Sequence, residues 1–246
     1  MYTKLNSLLL LLVVCFSACT KNYTESLQDD LQNIKRSDEF IIAYAAGMQD
    51  GFMGDKNNPI SFFFYPVEGA TNFRYYETND VNIDKTNHSL YFEKEVFSKD
   101  VFNGYLKRFP LGKNKNNRWA IMTYLVNDSI RICDPVQIKI QDKPTVWNPE
   151  TISISSTNLN PSFSWENGPE DVIHFQVISN HENNLISGSY TQESNFTFYD
   201  LSNVVLNITS EINPTLENNK NYTFTLMSVS DDNWVNSFAQ KSFNTP

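Results

Sequence analysis

The sequence predicts an all-β protein made of two tandem antiparallel β-sandwich domains, preceded by a signal peptide and a flexible tether. Short segments rich in Phe, Tyr, Ile, Val and Thr alternate with Asn, Asp, Gly and Pro turns, as in sandwich proteins. No segment of helix length stands out as amphipathic. The strand pattern also repeats after about 100 residues, a typical length for one sandwich domain.

The composition fits folded β-domains and argues against nucleic-acid binding. Of the 246 residues, 14% are aromatic and 19% are charged, which leaves ample apolar area for real cores. The formal net charge is -9, whereas binding a nucleic-acid backbone needs clustered Lys and Arg. We therefore expect no nucleic-acid partner. The three cysteines are too few for a disulfide-rich scaffold.

The first element is a secretory signal peptide, predicted over residues 1–18. Lys4 gives the N-terminus a positive charge, and the apolar run at 8–14 follows it. This run is too short to cross the hydrocarbon core of a bilayer, which is about 30 Å thick. The sequence therefore predicts export rather than a membrane-spanning helix.

The end of the signal peptide resembles a bacterial lipobox, in which an apolar residue and two small residues precede a cysteine. Residues 16–19 have this pattern, with Phe16 in place of the usual Leu. The resemblance implies that the thiol of Cys19 takes a diacylglyceryl group and that Cys19 becomes the first mature residue. The alternative is an ordinary signal peptide that is cleaved nearby, with Cys19 incidental.

Residues 19–36 are polar and predict a tether that holds the folded part off the membrane. Two or three acyl chains on Cys19 would anchor it stably. Thr20 follows the cysteine instead of Asp, which in this lipoprotein class fits an outer-membrane destination. Asp29 and Asp30 lie too far along to match the acidic cluster of surface-exported lipoproteins of the Bacteroidota type. The sequence thus leaves open which face of the outer membrane the protein occupies.

The two sandwich domains are predicted over residues 37–142 and 143–246. Pro-rich residues 144–149 separate them. The strands predicted for the first domain are 40–46, 60–65, 72–77, 89–92, 104–109, 119–126, 130–133 and 136–140. Those of the second domain are 152–155, 162–165, 173–179, 185–191, 195–200, 222–230 and 237–243.

Landmarks of the two domains correspond at a nearly constant distance in sequence. An Asn-Pro pair opens an aromatic strand in each half, and a long apolar run follows an Asn-rich turn in each half. This spacing predicts two copies of one plan. The corresponding residues, 102 or 103 apart, are Pro59 with Pro161, Phe73 with Phe175, and Trp119 with Tyr222.

The second copy resembles a fibronectin type III domain over about residues 144–246. The run at 161–165 looks like the second strand of that family, whose Trp lies in the core, and this implies a buried Trp165. Leu216 and the run opened by Tyr222 look like the sixth strand, and this Tyr resembles the tyrosine corner of sandwich folds. The first copy is a looser version that could be immunoglobulin-like instead.

The sequence contains no recognisable catalytic or metal motif. It lacks a Gly-x-Ser-x-Gly elbow, a His-Glu-x-x-His pair and a phosphate-binding Gly-rich loop. We expect His174 and His181 at solvated edge positions and Cys133 as a small buried strand residue. No spacing rule singles out two carboxylates as a glycosidase pair. The sequence therefore predicts no enzyme activity, no metal site and no cofactor.

The main candidate for ligand binding is the segment from Asp231 to Trp234, between the last two strands. Loops at the ends of sandwiches commonly bind partners. An exposed Trp234 could cover the apolar face of a sugar while Asp231, Asp232 and Asn233 bind its hydroxyls. The alternative is a Trp234 folded back on the rim of the core. We expect Trp147 to pack between the domains.

A candidate modification site is Ser129. With its neighbours Asp128 and Ile130 it matches the short Asp-Ser/Thr-aliphatic pattern used for O-glycosylation of exported proteins in the Bacteroidota.

These features predict a lipid-anchored cell-envelope protein without catalytic activity, with a binding or adhesion role. The specific hypothesis is glycan binding at the cell surface or on the periplasmic face of the outer membrane. The alternative is a structural or scaffolding subunit of an outer-membrane complex, which would pair through sheet edges or faces. The expected partners are the membrane, through Cys19, and a glycan or an envelope protein.

Overall fold

The computed structural model describes residues 26–47, 57–112, 116–139, 143–209 and 214–246. Within these ranges the chain forms one short α-helix, two 3-10 helices and nineteen β-strands, so the all-β prediction is confirmed. The signal peptide, Cys19 and the first part of the predicted tether, residues 19–25, lie outside the described residues.

The elements of the first half are one helix and ten strands, with a 3-10 helix at His88–Leu90 between β4 and β5. They are α1 (Leu27–Asn33), β1 (Arg36–Ile41), β2 (Ala43–Gly47), β3 (Ile60–Phe64), β4 (Thr71–Glu77), β5 (Phe92–Lys94), β6 (Lys99–Val101), β7 (Leu106–Leu111), β8 (Arg118–Val126), β9 (Ser129–Cys133) and β10 (Val136–Ile138).

The second half has nine strands, with a 3-10 helix at Pro149–Thr151 between the first two. They are β11 (Val146–Trp147), β12 (Ser153–Ser155), β13 (Ser162–Ser164), β14 (Ile173–Asn180), β15 (Leu185–Thr191), β16 (Asn195–Thr197), β17 (Val204–Asn207), β18 (Asn221–Val229) and β19 (Val235–Asn244).

Strands β1–β10 form a sandwich of two sheets, which we call the first module. One sheet has the order β1-β9-β8-β4-β5, with β10 also paired to β8, and the other has the order β2-β3-β7-β6. Aromatic rings from the two sheets meet in its core: Phe62 contacts Tyr75 at 5.4 Å, and Phe64 contacts Phe73 at 5.3 Å between ring centroids. Pairing is antiparallel except for β1, which runs parallel to β9.

Strands β11–β19 form the second module, again with two sheets. Their orders are β11-β19-β18-β14-β15-β17 and β12-β13-β16, and β11 runs parallel to β19. Phe163 stacks on Phe224 at 4.0 Å, and Trp165 is buried beside them, as the fibronectin-like resemblance implies. The hydroxyl of Tyr222 accepts the backbone N–H of Glu217 at 3.0 Å, which is the contact of a tyrosine corner.

The two modules are stacked face to face, so the molecule has four sheet layers. Strands β2 and β3 are buried on both faces. Because side chains alternate along a strand, Ala45 and Phe62 face the first core while Tyr44 and Phe63 face the second module. Tyr44 lies 6.0 Å from Phe175 across this boundary. A third hydrophobic core therefore joins the modules.

Hydrogen bonds lock the same boundary at one edge. The backbone N–H of Ala45 donates to the carbonyl of Asn233 at 2.9 Å, and that of Gly47 donates to Thr145 Oγ1 at 2.9 Å. Thr145 Oγ1 in turn donates to the carbonyl of Val235 at 2.7 Å. The joining segment and the last hairpin are thus both fixed to β2, which makes the modules one body.

The outermost sheet, β12-β13-β16, has a polar outer face. Its strands alternate between buried apolar residues and exposed polar ones, as Phe163 between two serines illustrates. Exposed or partly exposed hydroxyl and amide side chains therefore form this face: Ser153, Ser155, Ser162, Ser164, Asn195 and Thr197.

The two modules share a similar strand order, but the predicted correspondence between Phe73 and Phe175 is wrong, because the two side chains point to opposite faces of their sheets. Phe73 faces Phe64 in the core of its own module, whereas Phe175 faces Tyr44 of the other module. A shift of one residue along a strand moves a side chain to the opposite face. Equal spacing in the sequence therefore does not show that two side chains face the same side of their sheets.

The predicted tether over 19–36 is too long, because the chain is folded from Ser26 onward. Ser26 donates its backbone N–H to Asp29 Oδ2 at 3.0 Å and so caps α1. Leu27 is fully buried in the first core. Asp30 forms an ion pair with Arg74 at 2.5 Å. Asp30 thus binds the first module and Asp29 caps its own helix, so neither belongs to a free linker.

Candidate ligand groove at the module junction

A polar groove of about 390 Å³ opens on the second module, beside the segment that joins the two modules. Three parts of the chain form it: the joining segment with the 3-10 helix, the loop between β13 and β14, and the start of β19. Its polar lining consists of Lys143, Asn148, Thr151, Glu166, Asn167, Glu170, Asp171, Asn236 and Ser237.

The loop between β13 and β14 is held in shape by Asp171. Its Oδ2 accepts the backbone N–H of Gly168 at 2.7 Å, and its Oδ1 accepts Asn236 Nδ2 at 2.8 Å. A Cβ at Gly168 would lie 3.0 Å from the Asp171 carboxylate, so a larger residue there would have to push this carboxylate aside. Hydrogen bonding through Asp171 therefore ties the loop to β19 at one wall of the groove.

The same network leaves one acceptor in the groove lining unused. Asn236 Oδ1 is buried and has no hydrogen-bond partner among the described residues. Its amide orientation is set because Nδ2 donates to the Asp171 carboxylate. A buried acceptor without a partner is costly, and a ligand donor or a water molecule would satisfy it.

A second depression of about 380 Å³ adjoins the groove and shares Glu170 with it. Lys139 bonds Asp232 here at 2.5 Å, and Lys143 forms an ion pair with Glu170 in the groove. Partial burial raises the pKa of Asp232, but hydrogen bonds from Lys139 and Ser230 outweigh it and hold the pKa below its usual value. Asp232 is therefore ionised at neutral pH.

The prediction of an exposed Trp234 is wrong. Its side chain is fully buried, and its Nε1–H donates to the carbonyl of Lys143 at 2.8 Å. The ring belongs to the core of the first module, and its backbone pairs with that of Ala45. The other module covers this ring, and the sequence of the loop alone gives no sign of that neighbour. Trp234 cannot present a face to a sugar.

The three residues before Trp234 lie in different surroundings. Asp231 and Asp232 line the second depression. Asn233 has a positive φ of 61°, which turns the chain back toward the first module and aims its carbonyl at Ala45. Two carboxylates of the predicted site thus border the ligand groove, and their role in binding stays a prediction.

Trp147 does not pack fully between the modules as predicted. It stacks on Phe238 of the intermodule core at 5.5 Å, but 45% of its surface stays exposed. Sequence neighbours on either side, Val146 and Asn148, line the groove. An aromatic ring is therefore exposed at this edge of the second module.

Ser129 and Cys133, two other residues singled out in the sequence, have clear positions. Ser129 is the first residue of β9, after a tight turn in which Asn127 and Asp128 have positive φ. Its glycosylation stays a prediction. Cys133 is buried, as expected, and burial raises the pKa of its thiol to about 12. Such a thiol is inert at neutral pH.

The expectation for His174 is wrong, because this side chain is fully buried rather than solvated. Its Nδ1 lies 3.0 Å from Ser228 Oγ, and its ring packs edge-on against Trp165. Burial lowers its pKa. His181, in contrast, is exposed on the turn after β14.

Neither a metal-binding cluster nor a membrane-spanning helix is found in the described ranges. No group of three or more His, Cys, Asp or Glu side chains is placed there to hold a metal ion. None of the helices in those ranges has the length and apolar character needed to cross a bilayer.

Comparison with known proteins identifies no family, since no family model and no curated protein match. Among solved structures the chain is similar to domains A168–A170 of titin, with a TM-score of 0.29 and 10% identity over 86% of this chain and 60% of that one. It is also similar to Tp47, the 47-kilodalton lipoprotein of Treponema pallidum, with a TM-score of 0.29 and 8% identity over 85% of this chain and 52% of that one.

A third similar structure is the chicken interferon gamma receptor alpha chain, with a TM-score of 0.26 and 12% identity over 82% of this chain and 98% of that one. The chain spans less than two thirds of the length of the first two structures. The β-sandwich assignment comes from the strand pairing of the chain itself.

Proposed function

We propose that this protein is a lipid-anchored, non-catalytic binding protein of the cell envelope and that the groove is its ligand site. The observation that carries this proposal is the concentration of carboxylate, amide and hydroxyl groups in one shaped depression beside the module junction. Concave sites with a few convergent polar groups are where ligands usually bind.

The ligand class that fits this lining is a hydroxyl-rich molecule, with an oligosaccharide as the leading example. Carboxylates such as Glu166 accept hydrogen bonds from hydroxyls, and amides such as Asn148 and Asn167 both donate and accept. Val146 and Pro169 add apolar surface to the same groove. Because the loop is already tied to β19, little ordering would be needed on binding.

The binding test uses affinity electrophoresis of the purified protein through gels that contain single polysaccharides. We expect at least one polysaccharide to retard the protein, and Glu166→Ala to weaken the retardation about tenfold, since a hydrogen bond to a charged group contributes about 1.5–3 kcal/mol. Glu68→Ala is the matched control, because Glu68 is exposed on the other module. Equal retardation of wild type and Glu166→Ala would exclude the groove as the polysaccharide-binding site.

The anchor is tested separately through Cys19. Metabolic labelling with radioactive palmitate should mark the wild-type chain, and Cys19→Ser should lose both the label and the membrane fractionation. A wild-type protein that takes up no palmitate would contradict lipidation of Cys19, but it would not test ligand binding in the groove.

A second candidate function, a structural subunit of an outer-membrane complex, is favoured by one observation. The shared core between the modules makes the molecule a single rigid body, as a scaffold requires. A pull-down from solubilised membranes should then recover a partner in stoichiometric amount, and recovery of the protein alone would count against this role.

A further inference from the structure

The chain enters the fold at one edge of the first module. Ser26 forms a β-bridge with Phe92 of β5, and the backbone N–H of Leu27 donates to the carbonyl of Tyr91 at 3.0 Å. Strand β5 is the edge strand of its sheet. If Cys19 carries the lipid, the seven residue steps to Ser26 reach at most about 25 Å. The β5 edge therefore stays close to the membrane.

The same edge carries the most exposed large hydrophobic side chain of the described ranges. Phe97 lies five residues after Phe92, in the connection from β5 to β6, and is 79% exposed. Lys94 and Lys99 flank it, with one carboxylate, Glu95, between them. Exposed aromatic side chains favour the interface between a bilayer and water.

Contacts between the modules place the outer edge of the second module on this side as well. The turn that follows β6 reaches the second module, where Asn103 Nδ2 donates to the carbonyl of Glu182 at 3.2 Å and the Tyr105 hydroxyl donates to the carbonyl of Ile208 at 2.5 Å. The β5 and β6 edges of the first module therefore lie on the same side as β15 and β17 of the second.

Strand β17 exposes apolar side chains at this edge. Val205 is 53% exposed and Leu206 is 40% exposed, and Leu201 in the preceding turn is also 40% exposed. Together with Phe97 they form what we call the tether-side surface, defined by Phe97, Leu201, Val205 and Leu206.

We propose that the anchored protein lies with its tether-side surface against the lipid bilayer. The occupant is the membrane itself, because the short chain between Cys19 and Ser26 keeps this side within reach of it. Exposed apolar side chains lose contact with water when they enter the interface. The tether also raises the effective concentration of the bilayer, so a few side chains suffice. This inference rests on the lipid anchor proposed above.

The test uses the full-length lipidated protein in vesicles of phosphatidylethanolamine and phosphatidylglycerol. The environment-sensitive dye NBD is attached to single introduced cysteines, Phe97→Cys and Val205→Cys. Phe40→Cys is the matched control, because Phe40 is 64% exposed on β1, the opposite edge of the sheet that ends in β5. Cys133 is buried with a raised pKa and takes no label.

We expect the dye at positions 97 and 205 to shift to shorter wavelength and to be quenched several-fold more by nitroxide lipids than the dye at position 40. Spectra at 97 and 205 that match the aqueous spectrum at 40 would overturn the proposal and favour a protein partner for this surface. Membrane fractionation of the wild type and of Cys19→Ser distinguishes failure of the lipid anchor from failure of the proposed orientation. A wild type that is anchored through Cys19 but gives aqueous dye spectra overturns only the orientation, whereas a wild type that does not fractionate with membranes overturns both.

Discussion

At the residue scale, the sequence predicts the position of a side chain when its own strand decides it, and not when a distant element decides it. Trp165 was placed correctly because the alternation of its own strand decides its face. The sequence left Trp234 open between an exposed loop position and one folded back on the core, because the surface that covers it, beside Ala45, is almost 190 residues away in the chain. Local pattern therefore predicts a face within a strand, but it does not predict which distant element packs on that face.

Replacing Trp234 with alanine tests its role in the junction. We expect Trp234→Ala to lower the free energy of unfolding by about 3–5 kcal/mol, since it removes a fully buried ring and the hydrogen bond to Lys143. Trp147→Ala is the control and should cost clearly less, because Trp147 is half-exposed. Urea denaturation measures both. Equal midpoints for wild type and Trp234→Ala would contradict the buried position.

His174 predicts a pH dependence of stability. Burial lowers its pKa in the folded state below the reference value of 6.5, so the unfolded chain binds more protons as the pH falls through that value. Stability should therefore decrease below about pH 6.5. Urea titrations at a series of pH values should show a weaker decrease for His174→Gln. His181→Gln, at an exposed turn, should keep the wild-type dependence; an unchanged dependence in His174→Gln would refute the assignment.

At the scale of elements, strands with strong β-pattern were predictable, whereas short elements that depend on a neighbour were not. Strand β8 was predicted to within one residue because it is long and apolar. Helix α1 has seven residues, too short to be stable alone, and it exists because Leu27 and Asp30 dock on the first module. Strands β6 and β11 likewise owe their assignment to pairing with β7 and β19.

The docking of α1 depends on Asp30. Its carboxylate accepts from the guanidinium of Arg74 and from the hydroxyl of Tyr76. We expect Asp30→Ala to destabilise the protein by about 1–3 kcal/mol and to speed protease cleavage between residues 26 and 35, because both donors lose a partly buried partner. Asp38→Ala, at an exposed position, is the control. Cleavage at the wild-type rate would show that Asp30 does not hold the helix.

At the scale of the whole molecule, the sequence did not predict that the two sandwiches stack on each other. Residues 40–46 and 60–65 were predicted as strands, and the nearly continuous apolar run of β3 is typical of burial on both faces, but such a run does not show which distant sheet covers the second face. The groove was likewise not predictable, because its walls come from three segments that are separate in the sequence: the joining segment, a loop and β19. The residues that line it carry no motif.

The shared core predicts that the modules unfold together. Phe63 is fully buried between them, and Phe63→Ala should lower the stability of the whole protein by about 3–5 kcal/mol. Scanning calorimetry of wild type should show one transition, and the variant should show one transition at lower temperature. Two separate transitions in the wild type would contradict a single cooperative unit.

The polar outer face of the sheet β12-β13-β16 has a consequence for assembly. The two modules meet through unlike sheet faces, and a heterologous contact of this kind can in general repeat without closing into a ring. Hydroxyls such as Ser153 and Ser164 stand where the first module presents Tyr44 and Phe63 to its neighbour. The outer face of this sheet therefore does not offer the apolar contact through which the first module binds its neighbour.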